Sequence, residues 1–306
     1  DNPLIVHICD KGQIKDIAEE IPESAKKVID NFMPGPVTII LKKKSVVPND
    51  VTAGLNTVAI RFPLHETAQK LIKAAGVPIA APSANLSGKP SPTKAKHVVK
   101  DMTGRIDAII DGGECNVGVE STIVDFTGEN PVILRPGGVT YDDLKGVGLD
   151  VEIDKNILHS IAADEVPKCP GMKYKHYAPK ADLTLVEPAN VADARKTGEA
   201  VAMTQEQVEQ MVKTVWKLAK EKMDAGCKVG IICTDESRSH YPQGEVRSIG
   251  ARKSQESVAH NLYALLREFD DLKVDYIFSE SFTQDHLGQA IMNRLSKAAG
   301  YQIYKV

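Results

Sequence analysis

The chain is poor in aromatic residues (5%, with a single tryptophan), has no CxxC pair among its five cysteines, and has no apolar run near a membrane span. A span needs about eighteen consecutive apolar residues, so no stretch of this sequence reads as a membrane-spanning helix. Cys9, Cys115, Cys169, Cys227 and Cys233 are odd in number and widely spaced. Neither a disulfide framework nor a zinc site is signalled, and reduced thiols fit a soluble, cytoplasmic protein. Excess charge is lacking too: a net charge of −3 argues against coating nucleic acid by bulk charge, and leaves only a local basic groove open. No GxGxxG or GxxxxGK[ST] opens any helix, so a simple Rossmann or P-loop nucleotide site is not supported.

What is present suffices for two cores: 306 residues, 42% of them hydrophobic. Helical spacing of Ile14, Ile17, Ala18 and Ile21 is followed by a second helix ending at "MPGP". "VTIIL" (37–41) and "TVAIRF" (57–62) are β-branched strands. A helix over 66–75 leads to the strand "VPIAA", residues 94–102 are helical, and "IDAIID", "ESTIVDF" and "PVILRPG" are expected as three further strands. The first domain is therefore α/β with a twisted mixed sheet. The segment "VPKCPGMKYKHYAPKA" is a basic Pro/Gly linker, and beyond it strands and helices alternate as in a small, Rossmann-like parallel α/β domain. The expected division is 1–165, 166–181 and 182–306.

The stretch "PIAAPSANLSGKPSPT" turns from a buried strand into a loop full of hydroxyls. Ligands of open α/β sheets bind at the carboxyl ends of strands, where small residues allow close approach. Ser83, Ser87, Ser91 and Thr93 offer donors to phosphate oxygens, Asn85 an amide, and Thr93 is also placed to cap the next helix. The plainer reading is an ordinary Ser/Pro loop with a cap. Arg61 and Arg135 end the apolar strands "AIRF" and "ILR", where a guanidinium needs an anionic partner. That partner is a ligand phosphate or carboxylate, or a structural aspartate such as Asp111 or Asp125. Ser121 and Thr122 open another strand, and "LIVHI" carries His7, which taken alone suits a hydrogen-bonded core histidine.

In order along the chain, "DNPLIVHI", "MPGPVTIIL", "TVAIRFP", "APSANLSGKPSPT", "GVESTIVD", "ILRPGG" and "PGMKYKHYAP" resemble the Sua5/YrdC family, the L-threonylcarbamoyladenylate synthases. The resemblance spans residues 1 to about 180, and the remainder looks like the smaller C-terminal domain of the family's long form. It implies synthesis of threonylcarbamoyl-AMP and pyrophosphate from L-threonine, bicarbonate or CO2, and ATP, for the t6A modification of tRNA. It implies Mg2+ carried with ATP, and a TsaD/Kae1-type transferase as acceptor of the product.

Residue by residue, the resemblance implies that His7, Arg61, the Ala81 backbone and Ser121 surround threonine. Asn2, Thr57, Ser83, Ser91, Arg135 and, from the linker as a lid, Tyr174 contact the nucleotide. Positioning rests chiefly on Arg61, Ser83 and Arg135; no catalytic acid or base is expected. Family members carry a threonine-rich strand and a Lys-x-Arg pair before the equivalent of Asn2, so this chain is expected to be part of a longer protein and impaired without that segment. Two other classes stay open: a tRNA- or rRNA-binding module without chemistry, and a carbamoyl-phosphate-dependent enzyme of the hydrogenase-maturation type.

Overall fold

The computed structural model describes residues 2–157, 167, 169–170, 177–197 and 201–306. In chain order the strands are β1 (Ile5–His7), β2 (Val37–Lys42), β3 (Thr57–Arg61), β4 (Ile79–Ala81), β5 (Thr122–Asp125), β6 (Val132–Arg135), β7 (Glu152–Ile153), β8 (Asp182–Glu187), β9 (Val229–Cys233), β10 (Glu245–Ser248), β11 (Tyr276–Glu280) and β12 (Ile303–Lys305). The helices are α1 (Ile14–Ile17), α2 (Glu23–Phe32), α3 (Asn49–Thr52), α4 (Glu66–Ala75), α5 (Ala95–Met102), α6 (Tyr141–Gly146), α7 (Ala189–Thr197), α8 (Gln205–Asp224), α9 (Gln255–Leu272) and α10 (Gly288–Ala298). Among the described residues, no helix is long and apolar enough to cross a membrane.

The first compact unit comprises residues 1–83 and 120–174. Its sheet has the order β4-β1-β3-β2-β5-β6-β7 and is mixed, as the sequence predicts: β1 runs parallel to β3 and antiparallel to β4, while β2 runs antiparallel to β3 and parallel to β5. Alternation along a strand sends successive side chains to opposite faces. One face therefore carries Val6, Val37, Ile39, Leu41, Val58, Ile60 and Val124, which pack with Ile14 and Ile17 of α1, Val28 and Ile29 of α2, and Leu144 of α6. The opposite face carries a smaller cluster of Ile5, Ile40, Ala59 and Ile123, joined by Leu134 and Cys169 but by no helical residue among those described.

The second unit comprises residues 84–119 and 175–306. Its sheet, β10-β9-β11-β8-β12, is parallel throughout, with a buried core in which Leu183, Leu185, Ile232 and Ile277 meet Leu262, Leu266 and Phe269 of α9 and Ile291 and Leu295 of α10. The apolar runs "DLTLVE", "KVGIICT" and "DYIFSE" form β8, β9 and β11 as expected, and capping boxes or Ser/Thr caps start α8 and α9.

Two departures from the sequence reading stand out. "IDAIID" (106–111) forms no strand; Ile106 and Ile110 are exposed, because alternation makes a strand only where a neighbouring edge can pair with it. Residues 84–119 also group with the C-terminal sheet instead of following a boundary at 165. The reason is visible at α9. Arg267 donates to Pro90 O and to Asp101, His260 Nδ1 meets Asn116 O at 3.0 Å, and the Gly118 backbone lies against Ala259 and His260.

Gly118 has φ +81°, and a Cβ there would overlap Ala259 O and the His260 Cα. Neither backbone group can yield. Gly118→Ala is expected to destabilise the second unit by about 2–3 kcal/mol, read as a lowered midpoint in urea unfolding followed through the single Trp216.

Candidate active site

His7 ends β1, and the sheet register carries its row from strand to strand: His7 lies opposite Arg61 of β3, Arg61 opposite Thr38 of β2, Thr38 opposite Ile123 of β5, and Ile123 opposite Arg135 of β6. His7, Arg61, Thr38 and Ile123 share the face of the smaller apolar cluster, since Ile5, Ala59 and Ile40 lie two residues along the same strands. Three of the expected site residues, His7, Arg61 and Arg135, thus fall in one row at one end of the strands.

Hydrogen bonds tie this row together. Thr38 Oγ1 and Ser121 Oγ, both buried, share a bond of 2.8 Å. Arg135 donates from Nη2 to Ser121 O at 3.0 Å and Ser121 Oγ at 3.1 Å, from Nε to Ser121 O at 3.2 Å, and from Nη1 to Pro170 O at 3.3 Å. Its residue is 6% exposed, and its hydrogen-bond acceptors among the described residues are all neutral oxygens. Neither Asp111, which accepts from Gly113 N, nor Asp125, which accepts from Thr127, is one of them. A guanidinium that is buried without a carboxylate retains most of its attraction for an anion.

Gly137 explains how the strand end "RPGG" comes so close to Ser121. A Cβ at Gly137 would overlap Glu120 O, the Ser121 carbonyl carbon and Thr122 N. The Val139 N–H, two residues on, donates to Thr122 Oγ1 at 3.0 Å. The glycine fixes the Arg135 end of one strand against the Ser121 start of the next.

Arg61 Nε points to Gly35 O at a long 3.4 Å. His7 Nδ1 donates to Ile5 O at 3.0 Å, the only polarity a carbonyl permits. Burial, and after it the charge of Arg61, lowers the His7 pKa to about 4, against the opposing pull of the Ile5 and Ile79 carbonyls. At neutral pH this end of the site holds a neutral imidazole beside a guanidinium.

The expected nucleotide contacts lie elsewhere along the same strands. Thr57 begins β3 four residues before Arg61, about 13 Å away at the usual strand rise of about 3.3 Å per residue. Because β4 runs antiparallel to β1, with Ile79 opposite His7 and Ala81 opposite Ile5, the exposed Ser83 leaves at the end where Asn2 enters. The serine-rich loop thus leaves the carboxyl end of its own strand, β4, as expected, and because β4 is reversed it emerges at the amino end of β1 and β3. Asn2, Thr57 and Ser83 gather there, His7, Arg61 and Ser121 gather at the other end, and Ala81 lies between. Asn2 Oδ1 is buried with no hydrogen-bond partner among the described residues. Arg135, expected with the nucleotide group, falls in the row of the threonine group.

Three expectations fall outside this unit or outside the described residues. Ser91 is buried within the second unit, together with Asn85, whose amide nitrogen donates to Leu86 O, and the exposed Ser87. Thr93 does not cap α5: the cap position is Lys94, the Thr93 hydroxyl has no partner among the described residues, and its backbone N–H donates to His97 Nδ1 at 3.2 Å. Tyr174 and most of the basic linker around it lie outside the described residues. Thr38, Pro170 and Gly137 were missed; the only sequence signal was a lone hydroxyl within the apolar run "VTIIL". Among the described residues, no group of His, Cys, Asp and Glu could hold a metal ion.

The Sua5_yciO_yrdC family model, described as "Telomere recombination", matches residues 1–137, and the Sua5_C model, described as "Threonylcarbamoyl-AMP synthase, C-terminal domain", matches residues 139–300. The chain is 44% identical over 306 residues to a threonylcarbamoyl-AMP synthase of Bacillus subtilis, covering 100% of this chain and 81% of that relative. It is equally similar, at 44%, to a threonylcarbamoyl-AMP synthase of Pyrococcus abyssi, covering 100% and 82%. The crystal structure of P. abyssi Sua5 complexed with L-threonine matches with a TM-score of 0.88 at 42% identity, over 100% of this chain and 82% of that one.

The lowered His7 pKa sets a pH dependence. The unfolded chain takes up a proton near pH 6.5 while folded His7 does so only near 4, so its contribution to stability is complete above 6.5 and declines as pH falls toward 4. Between pH 7 and 5 the His7→Gln variant is expected to lose about 2 kcal/mol less stability than the parent, measured by urea unfolding at each pH.

Proposed function

The chain belongs to the Sua5/YrdC family of threonylcarbamoyl-AMP synthases, and on that premise we propose that it joins L-threonine, bicarbonate or CO2, and ATP into threonylcarbamoyl-AMP and pyrophosphate. The observation that carries the residue assignment is the separation of two polar groups along one set of strands. His7, Arg61 and Ser121 stand at one end, Asn2, Thr57 and Ser83 at the other, with Thr57 and Arg61 about 13 Å apart. This suits a product with an amino-acid end and a nucleotide end. L-threonine is the molecule named in the complex of the P. abyssi relative.

The threonine amine adds to CO2 and gives up a proton to water, forming a carbamate. A carbamate oxygen then bonds to the α-phosphorus of ATP as the bridge to the β-phosphate breaks and pyrophosphate leaves. Such a displacement depends on positioning and charge neutralisation more than on a strong base. Arg61 pairs the threonine carboxylate, and neutral His7 beside it adds no second positive charge. Arg135, buried among neutral oxygens in the row of the threonine group, meets the charge developing where the carbamate joins the α-phosphorus, between the two ends. Roles at the nucleotide are assigned, as the family resemblance implies, to Asn2, Thr57, Ser83, Ser91 and Tyr174. Mg2+ bound to ATP would supply further neutralisation of the phosphate charge. The labile product passes to a TsaD/Kae1-type transferase for t6A formation on tRNA. The cytoplasm is the proposed compartment, consistent with five free cysteines.

The test is pyrophosphate release by the chain together with any native residues that precede it. Release is expected only when L-threonine, bicarbonate and ATP are all present, and ATP turnover indifferent to threonine and bicarbonate would refute the assignment. Arg61→Met should raise KM for L-threonine by about 10–100-fold, the worth of a charge-assisted bond, and leave KM for ATP within about twofold.

A further inference from the structure

The loop that carries Ser91 is held by a side chain of α9, remote in sequence. Arg267 donates to Pro90 O from both Nε, at 3.0 Å, and Nη2, at 2.6 Å, and Nη2 also reaches Asp101 Oδ2 at 2.8 Å. The second Asp101 oxygen accepts from Lys89 Nζ at 2.8 Å. One buried carboxylate is thus shared between the loop, through Lys89, and α9, through Arg267. Burial by itself would raise the Asp101 pKa, but hydrogen bonds from Arg267 and Lys89 override it and take the value down to about 2. The clamp therefore stays charged throughout the physiological range.

Its surroundings are closed in the same way. His97 of α5, buried and neutral with a pKa lowered to about 4 by burial and then by Arg267, accepts the Thr93 N–H. Cys115 N donates to Thr93 O at 2.9 Å, and Lys94 pairs with Glu114 at 2.8 Å. The backbone on both sides of Ser91 is fixed: Pro90 by its carbonyl, Thr93 by its N–H and its carbonyl.

The geometry points to Arg267 as a positioning residue for nucleotide binding: by gripping Pro90 O and Asp101, it sets the backbone position of Ser91. The inference rests on the reading of Ser91 as a nucleotide contact. It gives the C-terminal region a task within the reaction. Arg267 lies in the stretch matched by the Sua5_C model, while Pro90 and Ser91 lie in the stretch matched by the Sua5_yciO_yrdC model. A carbonyl gripped by two donors of a rigid fork is held in direction as well as distance, which a lysine ammonium does not reproduce. Displacement of a binding group by about 1 Å is enough to cost substrate recognition.

Steady-state kinetics of pyrophosphate release on Ser91→Ala, Arg267→Met and Arg267→Lys, paired with amide hydrogen exchange over residues 88–93, tests this. Arg267→Met is expected to raise KM for ATP by about tenfold, as Ser91→Ala does, with KM for L-threonine within about twofold of the parent and faster exchange over the loop. Arg267→Lys, which keeps a charge beside Asp101, should fall between. If Ser91→Ala raises KM for ATP while Arg267→Met does not, the positioning role is refuted and the nucleotide site stands. If Ser91→Ala itself leaves KM for ATP unchanged, the loop assignment fails and the role of Arg267 fails with it. Should Arg267→Met not fold, Arg267→Lys decides: unchanged KM for ATP and unchanged exchange over 88–93 overturn the inference.

Discussion

A guanidinium buried at the carboxyl end of an inner strand of a mixed sheet, with neutral oxygens as its described hydrogen-bond acceptors, is the constraint around which the first unit is arranged. Arg135 binds the Ser121 carbonyl and hydroxyl, Ser121 binds Thr38, and Thr38 stands opposite Arg61 in register. Moving any one of these strands by a single residue would send its member of the row to the helix-packed face. That face is already filled by Val6, Ile39, Ile60 and Val124 with α1, α2 and α6. The apolar packing on one face therefore fixes the polar row on the other. Gly137 completes the arrangement by letting the end of β6 touch the start of β5.

Strand direction then decides how the two polar groups are separated. β1 and β3 run the same way, so His7 and Arg61 share an end; β4 runs against them, so Ser83 joins Asn2 and Thr57 at the opposite one. The serine-rich loop begins in the first unit at Ser83 and continues into the second, where Arg267 of α9 takes hold of Pro90. There it fixes the backbone next to Ser91.

Much of this was legible in the sequence. The β-branched runs declared β2, β3, β5 and β6, and the two arginines at strand ends, with His7, marked the residues that the register unites. The ordered motifs pointed to the family at once. Strand orientation was not legible: nothing in "VPIAA" encodes that it pairs antiparallel with β1, so the sequence placed the loop after its strand but not at the amino end of β1 and β3. "IDAIID" alternated like a strand but had no edge to pair with. The grip of Arg267 on Asp101 spans 166 residues of chain and left no local signal. Thr93 looked like a helix cap, yet its backbone N–H is accepted by His97 and the cap position falls on Lys94.

The most direct test of the central claim is a calorimetric titration of ATP into the Arg135→Met variant beside the parent protein. If the buried cation is the principal charge awaiting the phosphates, the variant should bind ATP at least about tenfold more weakly, as expected for loss of a charge-assisted pairing. Affinity within about twofold of the parent would contradict it and would leave Arg135 as a structural tie between Ser121 and Pro170.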